Sequence, residues 1–170
     1  ISTDILGATK MHDFDGITPT IANVRPTSRG EINIVSKDSR DSPKIKMNYL
    51  STQDDRDIAA KALKIVRNIM LNTETFKKYE PEEYRPGAHI TSDEELVKAA
   101  SDHAQTIFHP VGTCKMGNDK NSVVSDELKV HGVENLRVID ASIMPNITSG
   151  NTNAPTIMIA EKGADMILNK

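Results

Sequence analysis

Apolar residues recur at helical spacing in three segments of the chain. Residues 52–70 carry an apolar residue every three or four positions, which predicts an amphipathic helix capped by Ser51 or Thr52. A second helix is predicted from Thr91 or Ser92, because both residues begin a sequence that fits a capping box. These two helices each have one wet face, as expected for helices at the surface of a domain.

The third helical segment, residues 155–168, differs from the other two. Pro155 suits its first turn, where a missing N–H is tolerated. Apolar residues lie nearly all round this helix. Such a helix is usually buried on every side, so we expect it to pack against more protein than a few short strands supply.

Strand signals fall mainly in the first third of the chain. Residues 17–24 and 31–36 flank a turn at residues 26–30 and predict a hairpin, since both segments are rich in β-branched residues. Residues 44–49 alternate strictly and predict a third strand with one wet face, and residues 136–140 predict a short buried strand. These elements are typical of the α+β class, with a hairpin and a third strand near the N-terminus and a strand and a helix at the C-terminus.

Composition and charge narrow the possible functions. The 170 residues are 37% hydrophobic and 26% charged, with a net charge of −3, which is too small to indicate binding to nucleic acid. No apolar run approaches the ~18 residues of a membrane span. Because the chain begins at Ile1 without an initiator methionine, we expect it to be a fragment or a processed product.

Residues 108–117 contain the first candidate for chemistry. His109 opens this segment, and a histidine can accept a proton near neutral pH. Gly112 permits a close backbone approach in the same segment. A structural histidine at a helix–strand junction is the alternative interpretation, and the residues alone favour it.

A run of small polar residues, 149–153, precedes the last helix and is the second candidate. A helix N-terminus presents unpaired N–H groups and partial positive charge, so this run could hold a polar cofactor edge or simply cap the helix. Asp140, at the end of a predicted strand, could cap the next turn or lie beside a phosphate or ribose.

Two other kinds of site, a zinc site and a dinucleotide-binding loop, lack their usual sequence patterns. His103, His109 and Cys114 fit no common zinc spacing, and His103 falls on the apolar face of its helix, so we predict no metal site. The chain also lacks G-x-G-x-x-G, so a dinucleotide cofactor would not find its usual pyrophosphate loop here.

Three blocks of sequence resemble the C-terminal part of the glucose–methanol–choline (GMC) oxidoreductases. They are PTSRGEI at residues 26–32 with Asn48-Tyr49-Leu50, HPVGTCKMG at residues 109–117, and residues 130–165, which include NLRVIDAS and IMIAEK. Their order and spacing agree over residues 20–168, and SGNTNAPT at residues 149–156 is most similar to the insect glucose-dehydrogenase-like branch.

The resemblance implies an FAD-dependent oxidation of an alcohol or sugar. By position, His109 would accept the hydroxyl proton while hydride passes to flavin N5, and Asn151 would bind the substrate oxygen. The pair Asp140-Ala141 would contact the cofactor through backbone groups. Thr152 and Asn153 would lie near the polar edge of the flavin.

The resemblance also implies a division of the chain. Residues 1–133 would belong mainly to the substrate domain, an antiparallel sheet backed by helices. Residues 134–170 would return to the FAD-binding domain as one strand and one helix. The N-terminal FAD-binding half would then be a required partner, so we expect the chain alone to bind FAD weakly or not at all. A non-catalytic binding module derived from the same family is the alternative.

Overall fold

A computed structural model describes residues 12–169 of the chain and confirms a mixed fold of helices and a small antiparallel sheet. The elements in chain order are β1 (Glu31–Asn33), β2 (Lys44–Lys46), α1 (Gln53–Asn72), α2 (Glu74–Lys77), α3 (Asp93–His103), a 3₁₀ turn (Ala141–Ile143) and α4 (Asn153–Leu168). Within the described residues, no helix combines the length and apolar character that crossing a bilayer requires.

The backbone divides into two compact units. Unit 1 comprises the described residues up to Asn23 together with Tyr49–Gln105. Unit 2 comprises Val24–Asn48 together with the described residues from Thr106 onward. The sheet therefore lies in unit 2, whereas α1, α2 and α3 lie in unit 1.

Unit 1 is built on the packing of α1 against α3, and both predicted helices are confirmed. Thr52 is the N-cap of α1, and its hydroxyl accepts from the main-chain N–H of Asp55 at 3.4 Å. Ser92 and Glu95 form the predicted capping box at the start of α3. Leu96 of α3 is fully buried, so the apolar face of α3 supplies the centre of this unit.

The segment between α1 and α3 was predicted to be irregular, and apart from α2 it is. Arg67 of α1 holds it in place: its guanidinium donates to the Glu83 carboxylate at 2.6 and 2.8 Å and to the Ile90 carbonyl at 2.9 Å. Both charged side chains are largely buried, at 21% and 12% exposure. One fork-shaped donor therefore fixes a loop that has few apolar residues of its own.

The predicted hairpin over residues 17–36 is wrong. Residues 17–24 form no strand, and β1 pairs instead with β2, antiparallel, with Ile32 opposite Ile45. The structure shortens the predicted strand 44–49 to three residues. Both strands are exposed on both faces. Residues 17–24 have the β-branched composition of a strand, but β1 is paired with β2 and not with them.

The core of unit 2 lies under its C-terminal half. Val124, Leu128, Ile143, Met144 and Ile159 form one buried cluster. The predicted strand 136–140 is wrong: Arg137 forms only an isolated bridge with Lys129, and Val138 donates to the Leu128 carbonyl at 3.1 Å. An apolar run of strand length lies there, but no ladder continues beyond that bridge.

Helix α4 begins two residues before the predicted start at Pro155. It packs against the loop at Ile139, where a Cβ on Gly163 would come within 2.5 Å of the isoleucine side chain. The opposite face is open, with Ile157 and Met158 more than half exposed. An all-round apolar helix is thus covered on one side only within the described residues.

Candidate active site

Two segments of unit 2 are tied together by main-chain hydrogen bonds. Cys114 donates to the Ser142 carbonyl at 3.0 Å, and Met116 donates to the Ile143 carbonyl at 2.7 Å. Gly112 adopts φ +89°, and a Cβ at this position would lie 3.3 Å from the Met144 carbonyl oxygen. Gly112 therefore suits this position in two ways, by its positive φ and by its close approach to the Met144 carbonyl.

His109 lies at the N-terminal edge of this frame. The preceding residue, Phe108, has φ +67°, and the chain bends there, just before the histidine. The ring is partly buried, and its Nδ1 lies 3.0 Å from the hydroxyl oxygen of Thr152. The main-chain N–H of Thr152 also points at Nδ1, from 3.5 Å. The structure thus brings together two segments that are 43 residues apart.

Helix α4 starts directly at this contact. Thr152 is its N-cap, is 7% exposed, and makes no side-chain hydrogen bond to its own helix. The third residue of the helix is Pro155, which has no N–H to offer a capping hydroxyl. Thr156 instead donates both its N–H and its hydroxyl to the Thr152 carbonyl, at 3.0 and 2.6 Å.

The contact between His109 and Thr152 was not predicted from the sequence. Thr152 was expected beside the flavin, not on the histidine. The signal that could have found it is Pro155, because a proline at this helical position leaves the capping hydroxyl without its usual partner.

The other predicted site residues lie nearby in sequence but do not bond to the histidine. Asn151 and Asn153 are exposed on either side of Thr152. Asp140 caps the 3₁₀ turn that begins at Ala141, and its carboxylate accepts from the Ser142 N–H at 2.8 Å. Among residues 12–169, no hydrogen bond joins Asn151 or Asp140 to His109.

The first of the three sequence blocks also lies in unit 2. Arg29 donates to the side-chain oxygen of Asn146, and the Asn48 amide donates to the Arg29 carbonyl at 2.9 Å. A segment from the first third of the chain is therefore held to the loop that leads into α4.

The candidate zinc ligands are divided between the two units, with His103 in unit 1 and His109 and Cys114 in unit 2. His103, predicted to lie on the apolar face of its helix, is exposed in the last turn of α3. The part of the chain that the structure describes contains no group of three or more His, Cys, Asp and Glu side chains arranged to hold a metal ion.

Comparison with known proteins identifies the family. A family model described as GMC oxidoreductase, for its C-terminal domain, matches residues 26–160. The chain is 49% identical over 160 residues to an oxygen-dependent choline dehydrogenase from Citrobacter koseri, covering 94% of this chain. It is 47% identical over 155 residues to an alcohol dehydrogenase [acceptor] from Pseudomonas putida, covering 91%. The chain spans 28% of the length of each of these relatives.

Solved structures agree with the sequence relatives. Pyridoxine 4-oxidase from Mesorbium loti matches 86% of this chain with a TM-score of 0.79 at 34% identity, and the match covers 28% of that structure. A formate oxidase from Aspergillus oryzae, studied for modification of its FAD, matches 85% with a TM-score of 0.77 at 34% identity, over 25% of its own chain. These four relatives are bacterial dehydrogenases and bacterial and fungal oxidases, so membership of the insect glucose-dehydrogenase-like branch stays a prediction. The chain belongs to the GMC oxidoreductase family, whose members are FAD-dependent flavoproteins.

Proposed function

We propose that this chain forms part of an FAD-dependent enzyme that oxidises the CH–OH group of a small alcohol. His109 accepts the hydroxyl proton, and Asn151 donates a hydrogen bond to the alcohol oxygen. The observation that carries the proposal is the hydrogen bonding of the two ring nitrogens of His109. Buried Thr152 holds Nδ1, whereas Nε2 makes no hydrogen bond to another of residues 12–169.

The residues around His109 fit a flavin. The isoalloxazine ring has a polar edge of carbonyl oxygens and ring nitrogens, which requires donors and acceptors close together. The exposed amides of Asn151 and Asn153 supply both. The first turn of α4 adds main-chain N–H groups that no side chain caps. Thr152 and the backbone of Asp140 and Ala141 complete the set proposed to face the cofactor.

The proposed chemistry divides the work between cofactor and protein. When bound, FAD accepts the hydride from the alcohol carbon, so the alcohol becomes an aldehyde or ketone. The hydroxyl proton passes to Nε2 of His109, which becomes an imidazolium. Asn151 stabilises the negative charge that develops on the oxygen before that transfer is complete. Together the two side chains lower the barrier to hydride loss.

The substrate class follows the relatives. The names of the bacterial relatives point to alcohols such as choline, so a small alcohol is favoured over a sugar. We propose that catalysis needs a flavin-binding portion equivalent to the rest of those relatives' length. In this arrangement residues 1–133 serve the substrate side, and residues 134–170 join the flavin-binding portion.

The test uses the flavin-loaded enzyme and measures anaerobic bleaching of the flavin by choline and by benzyl alcohol. His109→Ala should slow this reduction roughly 10²–10⁴-fold, the range for loss of a general base. Asn151→Ala should slow it roughly 10²-fold, as for one lost oxyanion donor.

His131→Gln is the matched control. His131 is also in unit 2, but its Nε2 bonds the Gly117 carbonyl, away from the proposed site. Near-normal reduction in His109→Ala would contradict the assignment of the base. A flavin that no alcohol bleaches in the unsubstituted enzyme would favour the non-catalytic binding module instead.

A further inference from the structure

We propose that Thr152 is a positioning residue that fixes the tautomer of His109. Its hydroxyl accepts a hydrogen bond from Nδ1–H, which leaves the Nε2 lone pair available to accept a proton. The inference rests on the proposed function, in which Nε2 is the atom that receives the substrate proton.

The contact has the geometry that this role requires. The Thr152 oxygen lies 3.0 Å from Nδ1, within the normal range for a hydrogen bond. The threonine is 7% exposed, so water competes little for its hydroxyl. The first turn of α4 is itself fixed, because the main-chain N–H of Thr156 donates to the Thr152 carbonyl at 3.0 Å.

The direction of this hydrogen bond decides what the ring can do. A neutral imidazole carries one proton, on either Nδ1 or Nε2. If Thr152 donates to Nδ1, the proton lies on Nε2, and the ring can only donate to a substrate. If Thr152 accepts, Nε2 is unprotonated and can act as a base. After Nε2 takes up a proton, Nδ1–H still needs an acceptor, and the same hydroxyl serves.

A second donor opposes this arrangement and makes the hydroxyl decisive. The main-chain N–H of Thr152 points at Nδ1 from 3.5 Å, which favours the tautomer with the proton on Nε2. That hydrogen bond is long and therefore weak compared with the one at 3.0 Å. Removing the hydroxyl would leave only the N–H, and the ring would then turn to the tautomer that cannot accept a proton at Nε2.

The sequence of α4 explains why the hydroxyl is available. The hydroxyls of Thr52 and Ser92, the N-caps of α1 and α3, accept from the N–H of the third helical residue. In α4 that residue is Pro155, which has no N–H. Thr152 also has φ −93° and ψ 0°, unlike the extended caps of the other two helices. Its side chain is therefore directed to His109 instead of its own helix.

The experiment measures the tautomer directly in the flavin-loaded enzyme. Solid-state NMR of protein labelled with ¹⁵N-histidine separates protonated from unprotonated ring nitrogens, and a His109→Gln sample assigns the signals of His109. We expect Nδ1–H in the unsubstituted enzyme and in Thr152→Ser, and Nε2–H in the isosteric Thr152→Val. Flavin reduction by choline or benzyl alcohol should slow roughly tenfold in Thr152→Val and recover in Thr152→Ser, as for loss of one neutral hydrogen bond.

Thr156→Val is the matched control on the same turn, because it removes a threonine hydroxyl that does not touch His109. It should change neither the tautomer nor the rate of flavin reduction. An Nε2–H ring in the unsubstituted enzyme, or an unchanged tautomer in Thr152→Val, would overturn the proposal. The two failures are distinguishable: an active His109→Ala variant refutes the assigned base, whereas the NMR signals report on Thr152 even if no alcohol is oxidised.

Discussion

The starts of α1 and α4 use the same residue in different ways. Thr52 caps α1 by accepting from the N–H of Asp55, three residues on. Thr152 stands at the same position in α4, but three residues on is Pro155, and its hydroxyl contacts His109. A threonine that stabilises its own helix in unit 1 is thus, in unit 2, directed to a ring 43 residues earlier in the chain. The residue type at the N-cap therefore does not by itself decide its role, because Pro155 offers Thr152 no N–H to accept from.

The comparison extends to the other polar contacts of the two units. In unit 1, Arg67 and Glu83 satisfy one another, and Arg67 bonds a main-chain carbonyl of the same unit. In unit 2, the His109 ring is held at one nitrogen and leaves the other without a partner among residues 12–169. Substitutions in unit 1 should therefore lower the stability of the fold without changing the rate of flavin reduction.

The largest effect on stability is expected at Arg67. Arg67→Leu leaves the Glu83 carboxylate, only 12% exposed, without its fork-shaped partner. Glu83 also holds the pKa of Arg67 above its ordinary value, mainly through their hydrogen bonds, so the folded state favours the charged pair. We expect a loss of about 2 kcal/mol, below the range for fully buried pairs because both groups keep some exposure. Hydrogen exchange of the α1 amides measures it.

Lys64→Met is the control for Arg67. Lys64 also lies on α1, but its ion pair with Asp93 is half exposed or more at both ends. Such a pair contributes roughly 0.5 kcal/mol or less. Equal losses for the two variants, or slower flavin reduction in Arg67→Leu, would contradict the division between the units.

The second effect is expected at Thr52. Thr52→Ala removes the cap of α1 and should lower the stability of that helix by about 1 kcal/mol, whereas Thr52→Ser should keep most of it. Hydrogen exchange of α1 again measures the loss. Flavin reduction and the His109 tautomer should not change, in contrast to Thr152→Val. A tautomer that responds to Thr52→Ala would remove the distinction between the two threonines.

The features that could be predicted from the sequence are those that depend on residues close together in the chain. The caps were predicted to within one residue, at Ser51 or Thr52 and at Thr91 or Ser92, because a cap depends on residues within four positions. The hairpin over residues 17–36 was wrong because pairing depends on which strand is available, and β1 found its partner at residues 44–46. Likewise the run 136–140 has strand composition but only one bridge.

The site shows the same limit. The candidate site residues could be proposed from the sequence because the three sequence blocks fix their positions along the chain. They are His109, Asp140, Ala141, Asn151, Thr152 and Asn153. The bond from His109 to Thr152 could not, since it spans 43 residues and depends on how α4 meets the loop before it. Only Pro155 carried a local sign that the hydroxyl was free of its helix.

A smaller effect is expected at Pro155. Pro155→Ala gives the third residue of α4 an N–H that can compete with His109 for the Thr152 hydroxyl. Flavin reduction should slow roughly threefold, and part of the His109 population should move to Nε2–H. Pro43→Ala, at an exposed loop position in unit 2, is the control and should change neither. If Pro155→Ala leaves the tautomer intact, the backbone angles of Thr152 (φ −93°, ψ 0°), and not the proline, direct its side chain to His109.

The smallest effect concerns acid stability next to the frame that holds the site. Lys115 lowers the pKa of Asp119 to about 2 from 3.8, with help from the Asn121 N–H and the Ser122 hydroxyl. Because the folded pKa is depressed, the stabilisation is fully present above about pH 4 and is lost as the pH falls towards 2. The stability difference between the unsubstituted enzyme and Asp119→Asn, read from urea midpoints, should therefore be constant from pH 5 to 7 and shrink below pH 4.

Lys115→Met should remove most of that pH dependence, since the lysine is the main cause of the shift. A difference that grows on acidification would show that the Asp119 carboxylate destabilises its turn. Because the Asp119 side chain is 54% exposed and only turns the chain after the segment that bonds Ser142 and Ile143, neither variant should alter the His109 tautomer at neutral pH.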